Sequence, residues 1–248
     1  MIEARGIKKR FGAQHVLNGV DLRIDDGEAV AIIGRSGGGK SILLKHLIGL
    51  LSPDEGEVLI RGLPIAHLSE RQLLDVRKEF GLLFQSAALF DSMTVHENVA
   101  FPLRRDRQLT SAEIGMRVDE ALAMVDLPGT GAKRPAELSG GMRKRAGLAR
   151  AIVYRPKVLL YDEPTTGLDP IVSDSIDQLI KRLCEQLRTT TVVVTHDMRS
   201  VRAIAQRVLM LHEGKIYANA ATSDLFASTD PVVSAFVKGV STPKDLLL

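Results

Sequence analysis

The chain has 248 residues, 45% of them hydrophobic, and a net charge of +3 with no long run of like charge. This length supports a substantial core, as one domain with a smaller lobe or as two closely joined lobes, and the charge gives no sign of a nucleic-acid-binding arm. A single cysteine excludes a disulfide framework. The sequence shows no signal pattern and no run near about 18 apolar residues, which predicts a cytoplasmic protein that does not cross a membrane.

The first part of the chain is predicted to form strands, then a glycine-rich loop and a helix. Alternating apolar residues predict strands over 2–7 and 16–24, with a turn at 12–14. Residues 29–33 are uniformly apolar and indicate a buried strand, and residues 42–51 have helical spacing. The loop between this strand and this helix consists of Gly34, Arg35, Ser36, Gly37, Gly38, Gly39, Lys40 and Ser41.

This loop has the composition and context of a phosphate-binding loop. Its glycines let backbone N–H groups approach phosphate oxygens, and the N-terminus of the following helix attracts the same anion. We expect Lys40 to reach the β- and γ-phosphates of a nucleotide and the Ser41 hydroxyl to ligate Mg²⁺. The alternative is a flexible Gly/Ser linker, but linkers do not lie between a buried strand and an amphipathic helix.

The middle of the chain is interpreted as an inserted helical lobe at residues 86–155. A strand at 57–61, a helix at 69–77 and a strand at 80–84 precede it. Within the lobe, Thr110-Ser111-Ala112-Glu113 predicts the start of a helix that continues to about residue 125.

The core sheet is expected to return after the lobe. The predicted elements are a strand at 158–161, a helix at 171–187, a strand at 191–195, a hairpin of 207–212 with 215–219, and short helices at 223–227 and 232–238. Residues 1–85 and 156–220 would then form a nucleotide-binding core within one domain that extends to residue 240. Residues 221–248 would be C-terminal helices and a tail, the role of residues 241–248 remaining open.

Two adjacent carboxylates, Asp162 and Glu163, follow the apolar strand at 158–161. Ligands collect at the carboxyl ends of strands in open α/β sheets. Asp162 is therefore placed to hold Mg²⁺, and Glu163 to orient or deprotonate an attacking water. An ordinary solvated turn is the alternative.

A second glycine-containing motif, Leu138-Ser139-Gly140-Gly141-Met142, precedes a helix predicted at 143–153. It provides another helix N-terminus suited to an anion. One γ-phosphate does not need two such cradles from one chain, so we infer that Ser139, Gly140 and Gly141 serve a nucleotide bound by a second copy. With this motif, essentially the whole chain resembles an ABC-type ATPase subunit, its motifs in order at family spacing.

The resemblance implies an α/β P-loop NTPase fold with a mostly parallel sheet, an N-terminal antiparallel β subdomain and an inserted α-helical subdomain. It implies a homodimer that binds ATP and Mg²⁺. Phe11 would stack on adenine, Gln85 would touch Mg²⁺ and water, and His196 would contact the γ-phosphate, while Asp169 belongs to a loop that crosses to the partner. Taken singly, Phe11 could be a packed strand residue and Gln85 a surface glutamine, and His196 with Asp197 could simply start a helix.

Residues 83–103 and Met142-Arg143-Lys144-Arg145-Ala146 resemble the Mla-type ATPases. This resemblance implies phospholipid transport between inner and outer membranes, with a permease docking between Ala87 and Phe101 and an MCE-type lipid-binding protein in the complex. It also implies a place on the cytoplasmic face of the inner membrane, room for a small accessory cytoplasmic subunit, and no nucleic-acid partner.

Within these two segments, Phe90, Met93 and Phe101 suit an apolar docking groove or core packing. The basic cluster at 143–145 is interpreted as a solvated helix face.

Two other functions remain open from the sequence. The chain could drive an importer of small polar solutes such as amino acids. It could also be a soluble nucleic-acid- or ribosome-associated ATPase, although such proteins generally carry two cassettes or a long coiled-coil insertion, and this sequence has neither.

Overall fold

The protein is described by a computed structural model that covers residues 1–106 and 108–241. Its strands are β1 Ile2–Phe11, β2 Gln14–Ile24, β3 Ala29–Ile33, β4 Glu55–Ile60, β5 Leu63–Pro64, β6 Phe80–Leu83, β7 Val158–Asp162, β8 Thr190–Val194, β9 Arg207–His212 and β10 Lys215–Ala221. Its helices are α1 Lys40–Leu47, α2 Glu70–Lys78, α3 Val95–Ala100, α4 Ser111–Met124, α5 Gly140–Ile152, α6 Pro170–Leu187, α7 Met198–Ile204, α8 Thr222–Phe226 and α9 Pro231–Lys238.

Among these helices, none has both the length and the apolar character needed to cross a bilayer. The predicted tail lies outside the described residues, apart from residue 241.

The chain divides into two compact units, Met1–His67 with Val193–Leu248, and Leu68–Val192. The first unit contains an antiparallel sheet in the strand order β2-β1-β4-β5. It also contains β3, which pairs in parallel with β9, while β10 pairs with β9 in antiparallel fashion. Every residue of β3 is buried and apolar, as expected for a strand covered on both faces of a parallel sheet. The predicted limits of the subdomains at residues 86–155 remain a prediction.

The second unit is built on β6 and β7, which pair in parallel, and on the helices α2 to α6. All five residues of β7 are buried, and α6 turns the apolar side chains Ile176, Leu179, Ile180 and Leu183 inward. Helix α4 starts where the sequence predicts, because Thr110 and Glu113 form a capping box: the Thr110 hydroxyl accepts from the Glu113 N–H and the Glu113 carboxylate from the Thr110 N–H.

Helices α5 and α3 both depart from the sequence prediction. Helix α5 begins at Gly140 rather than at residue 143, because the Ser139 hydroxyl accepts a hydrogen bond from the Met142 N–H at 3.2 Å and so caps the helix earlier. Helix α3 was not predicted at all. The same cap signal marks it, since Thr94 and Glu97 form a capping box.

The buried His46 on α1 is expected to weaken the fold in mild acid. Burial lowers its pKa from the ordinary 6.5, although the carbonyl of Ile42 lies 2.7 Å from Nδ1 and opposes the shift. The unfolded chain then binds more protons than the folded one, so the stabilising contribution is present above pH 6.5 and declines as the pH falls toward the folded-state pKa.

Urea unfolding measured above and below pH 6.5 tests this expectation. His46→Gln should make the free energy of unfolding less dependent on pH across that window. His15→Gln, at an exposed histidine, should leave the dependence unchanged. An equally steep decline in the His46 variant would contradict the prediction.

Candidate functional site

The phosphate-type loop in the first unit leads into a helix whose N-terminus has no side-chain cap. Gly39 occupies the N-cap position with φ 95°, and a Cβ there would lie 2.9 Å from Cγ1 of Val16, so both the backbone conformation and the packing require glycine. By contrast, α2 to α7 and α9 are each capped by a serine, threonine or aspartate side chain. The start of α1 is therefore kept accessible to an anion.

Lys40 is buried beneath this loop. Its ammonium group donates hydrogen bonds to the carbonyls of Gly34 at 2.8 Å and Arg35 at 2.9 Å. These contacts hold the side chain along the inner face of the loop, where a phosphate cradled by the loop would also bind.

His196 lines a cavity of about 680 Å³ within the first unit, together with Gly34, Arg35 and Ser36 of the loop. The Thr195 N–H donates to the carbonyl of Ile32 at 3.2 Å, which places His196 beside the end of β3, from which the loop departs. Asp197 caps α7 by accepting from the Arg199 N–H. The structure thus places His196 next to the loop. The alternative, that His196 and Asp197 start a helix, also holds, because Asp197 caps α7.

Phe11 lies at the end of β1 and is 48% exposed. It is therefore not a packed strand residue, and the ammonium group of Lys9 lies 5.7 Å from its ring centroid. A second cavity of about 460 Å³ adjoins the loop and is lined by Gln14, the residue that pairs with Phe11 in the β1–β2 hairpin. An exposed ring at this place is free of core packing and suited to stacking on a planar base.

The two predicted carboxylates lie in the second unit, at the end of β7. Asp162 is the last residue of the strand and is buried. Glu163 follows with φ 51°, in the left-handed region that non-glycine residues seldom adopt. Its Oε2 accepts a hydrogen bond from the Thr166 hydroxyl at 3.1 Å, which holds the carboxylate in place.

Lys144 links Glu163 to Gln85 through their backbones. It is 5% exposed, and its ammonium group donates to the carbonyl of Gln85 at 2.5 Å and to that of Glu163 at 3.3 Å. Burial lowers the pKa of Lys144, and the charges of Glu163 and Asp162 oppose that shift. The structure thus brings together two residues assigned to the site, through a third that the sequence analysis did not assign.

The interpretation of residues 143–145 as a solvated helix face is therefore wrong. Besides the buried Lys144, Arg145 donates to the carbonyl of Val125 at 3.0 Å and to the hydroxyl of Ser175 at 2.7 Å. Only Arg143 is exposed. Charge alone gave no sign of this burial, because the acceptors come from distant parts of the chain.

The motif at Ser139 packs against the start of α6, which Asp169 caps. A Cβ at Gly141 would lie 2.7 Å from Cγ1 of Val172, so the close approach of the two segments requires glycine there. Asp169 caps α6 by accepting from the N–H of Ile171 and of Val172, both at 3.0 Å. Ile171 is 82% exposed, so this surface of the second unit presents an apolar side chain beside the two motifs.

An apolar groove of about 850 Å³ also lies in the second unit. The rings of Phe90 and Phe101 stand 4.8 Å apart on its wall and are 42% and 36% exposed, whereas Met93 is only partly exposed. Arg150 lines the groove and donates to the carbonyls of Ala87 and Ala88, which it thereby holds in place. Its remaining basic lining residues are Arg71, Arg77 and Lys78.

The side chains that the resemblance assigns to Mg²⁺ are each of a chemical type that binds this ion. Across residues 1–106 and 108–241 there is no group of three or more His, Cys, Asp or Glu side chains able to hold a metal. Mg²⁺ needs few protein ligands, because it usually binds one or two carboxylates and takes its other ligands from phosphates and water. A hydroxyl such as that of Ser41 and a buried carboxylate such as Asp162 are ligands of this kind.

Comparison with known proteins identifies similar chains. The family described as "ABC transporter" matches residues 17–166. The intermembrane phospholipid transport system ATP-binding protein MlaF of Haemophilus influenzae is 42% identical over 241 residues, covering 97% of this chain and 91% of that protein. Protein TRIGALACTOSYLDIACYLGLYCEROL 3 of Arabidopsis thaliana is 43% identical, covering 96% and 74%. The methionine import ATP-binding protein MetN of Halalkalibacterium halodurans is 39% identical, covering 99% and 74%.

A solved structure has the same fold. The dimeric structure of the ATP-binding cassette MJ0796, in a post-hydrolysis state bound to ADP and Pi, aligns with a TM-score of 0.81 at 33% identity. The alignment covers 90% of this chain and 99% of that one. The fold class predicted from the sequence is confirmed.

Proposed function

Because the chain belongs to the ABC transporter family and is an ATPase, we propose that it is the motor subunit of a complex that moves phospholipids between the inner and outer membranes. The observation that carries this proposal is the 42% identity to MlaF, which extends over 91% of that protein. The chain would lie on the cytoplasmic face of the inner membrane and contribute to the lipid asymmetry of the outer membrane.

The uncapped start of α1 would receive the nucleotide phosphates, with Lys40 on the β- and γ-phosphates and Phe11 against the adenine. Mg²⁺ would neutralise charge on the phosphates, with Ser41, Gln85 and Asp162 as its protein ligands. The Glu163 carboxylate would accept a proton from the attacking water, and His196 would contact the γ-phosphate.

Two copies would act together. Ser139, Gly140 and Gly141 would contact the nucleotide of the other copy, and Asp169 would cross to the same partner. The exposed Ser139 and the apolar Ile171 on the surface of the second unit support a contact there, since a side chain that is 82% exposed and apolar gains from burial.

The apolar groove defined by Phe90, Phe101 and Arg150 would receive a helix of an integral-membrane permease. Its two exposed rings offer apolar area, and its basic lining offers charge to a partner with a carboxylate. An MCE-type lipid-binding protein and a small accessory cytoplasmic subunit would complete the complex.

Purification of the complex from detergent-solubilised membranes, followed by identification of its proteins and lipids, tests the proposal. We expect a permease and phospholipid to accompany the chain. Phe90→Asp should remove most of the permease, because it replaces one of the two exposed rings of the groove with a charged side chain and so removes apolar area from the contact. Met116→Asp, which places the same charge at another exposed apolar residue, is the control and should not. Recovery of the permease at an unchanged level with the Phe90 variant would contradict the assignment of the groove.

A second candidate is the motor of an amino-acid importer, favoured by the 39% identity to MetN over 99% of this chain. The same purification separates the two, since a polar solute in place of phospholipid would support the importer. A nucleic-acid-associated ATPase is the third candidate. Filter binding with DNA and RNA at physiological salt would detect it, and we expect no retention.

A further inference from the structure

We propose that Lys144 is a positioning residue for ATP hydrolysis, which holds the backbones of Glu163 and Gln85 in the geometry that the reaction requires. The inference rests on the proposed roles of Glu163 and Gln85. It concerns a residue outside the motifs that bind nucleotide, because Lys144 lies on α5, one turn after Gly140 and Gly141.

The first support is the pair of contacts that Lys144 makes. Burying an ammonium group costs free energy unless the group is hydrogen-bonded, so the acceptors around Lys144 stabilise the folded state. The acceptors are the carbonyls of Gln85 and Glu163, which are 78 residues apart in sequence. One side chain therefore joins the residue proposed to touch Mg²⁺ to the residue proposed to activate water.

The second support is the backbone of Glu163. Glu163 has a left-handed backbone conformation, which a non-glycine residue keeps only when the surrounding structure enforces it. Such strained residues are concentrated at functional sites. The hydrogen bond from Lys144 to the Glu163 carbonyl holds the backbone, and the Thr166 hydroxyl holds the carboxylate. Without the hydrogen bond from Lys144, we expect the Glu163 carboxylate to shift from its position while the protein stays folded.

The third support is the rest of α5. Two turns beyond Lys144, Arg150 donates to the carbonyls of Ala87 and Ala88, both with positive φ. Through Lys144 and Arg150, helix α5 therefore holds three carbonyls between residues 85 and 88. The capped start of the same helix is Ser139, so a shift of this helix would be transmitted to Gln85 and Glu163 together.

Steady-state ATP hydrolysis by the full chain with Lys144→Met tests the proposal. Methionine matches the stem of the lysine up to Cε but has no ammonium group and cannot donate. We expect kcat to fall by about 10–100-fold with KM for ATP little changed, since small displacements of catalytic groups cost up to about 10²-fold. Lys181→Met makes the same replacement at an exposed lysine of α6 and should leave kcat unchanged. An unaltered kcat, or a rise in KM alone, would overturn the proposal.

Further measurements separate a positioning role of Lys144 from an effect on folding. Thermal unfolding of each variant establishes that it is folded. Lys144→Gln keeps an amide that can donate but reaches less far than the ammonium group, so kcat should fall less than in Lys144→Met, with KM again little changed. In single-turnover experiments, Lys144→Met should reduce the rate less in the Glu163→Gln background than in the unaltered chain, because part of its effect acts through Glu163. Independent, multiplicative losses would overturn the proposal. Near-normal turnover of Glu163→Gln alone would instead show that the proposed role of Glu163 is wrong.

Discussion

Replacing Glu163 with glutamine is expected to lower ATP hydrolysis by about 10²–10⁴-fold, the usual contribution of a positioned general base, while ATP binding stays intact. The amide has nearly the shape of the carboxylate but cannot accept the proton of the attacking water. It can still accept the hydrogen bond that the Thr166 hydroxyl donates to Oε2, so the local structure should persist. Phosphate release and nucleotide binding, measured on the same preparation, separate the two effects.

Glu185→Gln is the matched control for this prediction. Glu185 is an exposed residue of α6, and the same loss of one negative charge there should leave hydrolysis unchanged. If the Glu163 variant turns over ATP at a rate close to that of the unaltered chain, Glu163 is not the general base.

Replacing Ser139 with arginine is expected to abolish hydrolysis and to spare the binding of ATP to a single copy. Ser139 is exposed, so the larger side chain need not disturb the core, but it would occupy the place proposed for the nucleotide of the partner copy. The variant also loses the cap that the Ser139 hydroxyl gives α5, at a cost of about 1 kcal/mol. Hydrolysis should therefore be lost while the binding of nucleotide to a single copy is unchanged.

Ser69→Arg provides the comparison that isolates the effect of the cap. Ser69 caps α2 in the same way, accepting from the Gln72 N–H, and is also exposed. This variant should lose a similar amount of stability and still hydrolyse ATP. If Ser139→Arg also eliminated nucleotide binding to the monomer, the model of a site shared between two copies would be wrong.

Much of the fold was predictable from the sequence, because its signals are local. The phosphate-type loop needs only eight consecutive residues, and the buried strands at residues 29–33 and 158–161 are uniformly apolar. Helix α4 was predicted from Thr110 and Glu113, whose hydrogen bonds span three residues. Helix α3 carries the same signal in Thr94 and Glu97, but it is only six residues long.

The sequence by itself determined the family and most of the residues proposed for the site, because phosphate binding and helix capping depend on backbone geometry within short segments. Only the tertiary structure decided the role of the basic cluster at residues 143–145. A lysine on a helix has the same local sequence whether it faces solvent or protein. Lys144 is buried because the carbonyls of Gln85 and Glu163, distant along the chain, converge on it and offset the cost of removing its charge from water.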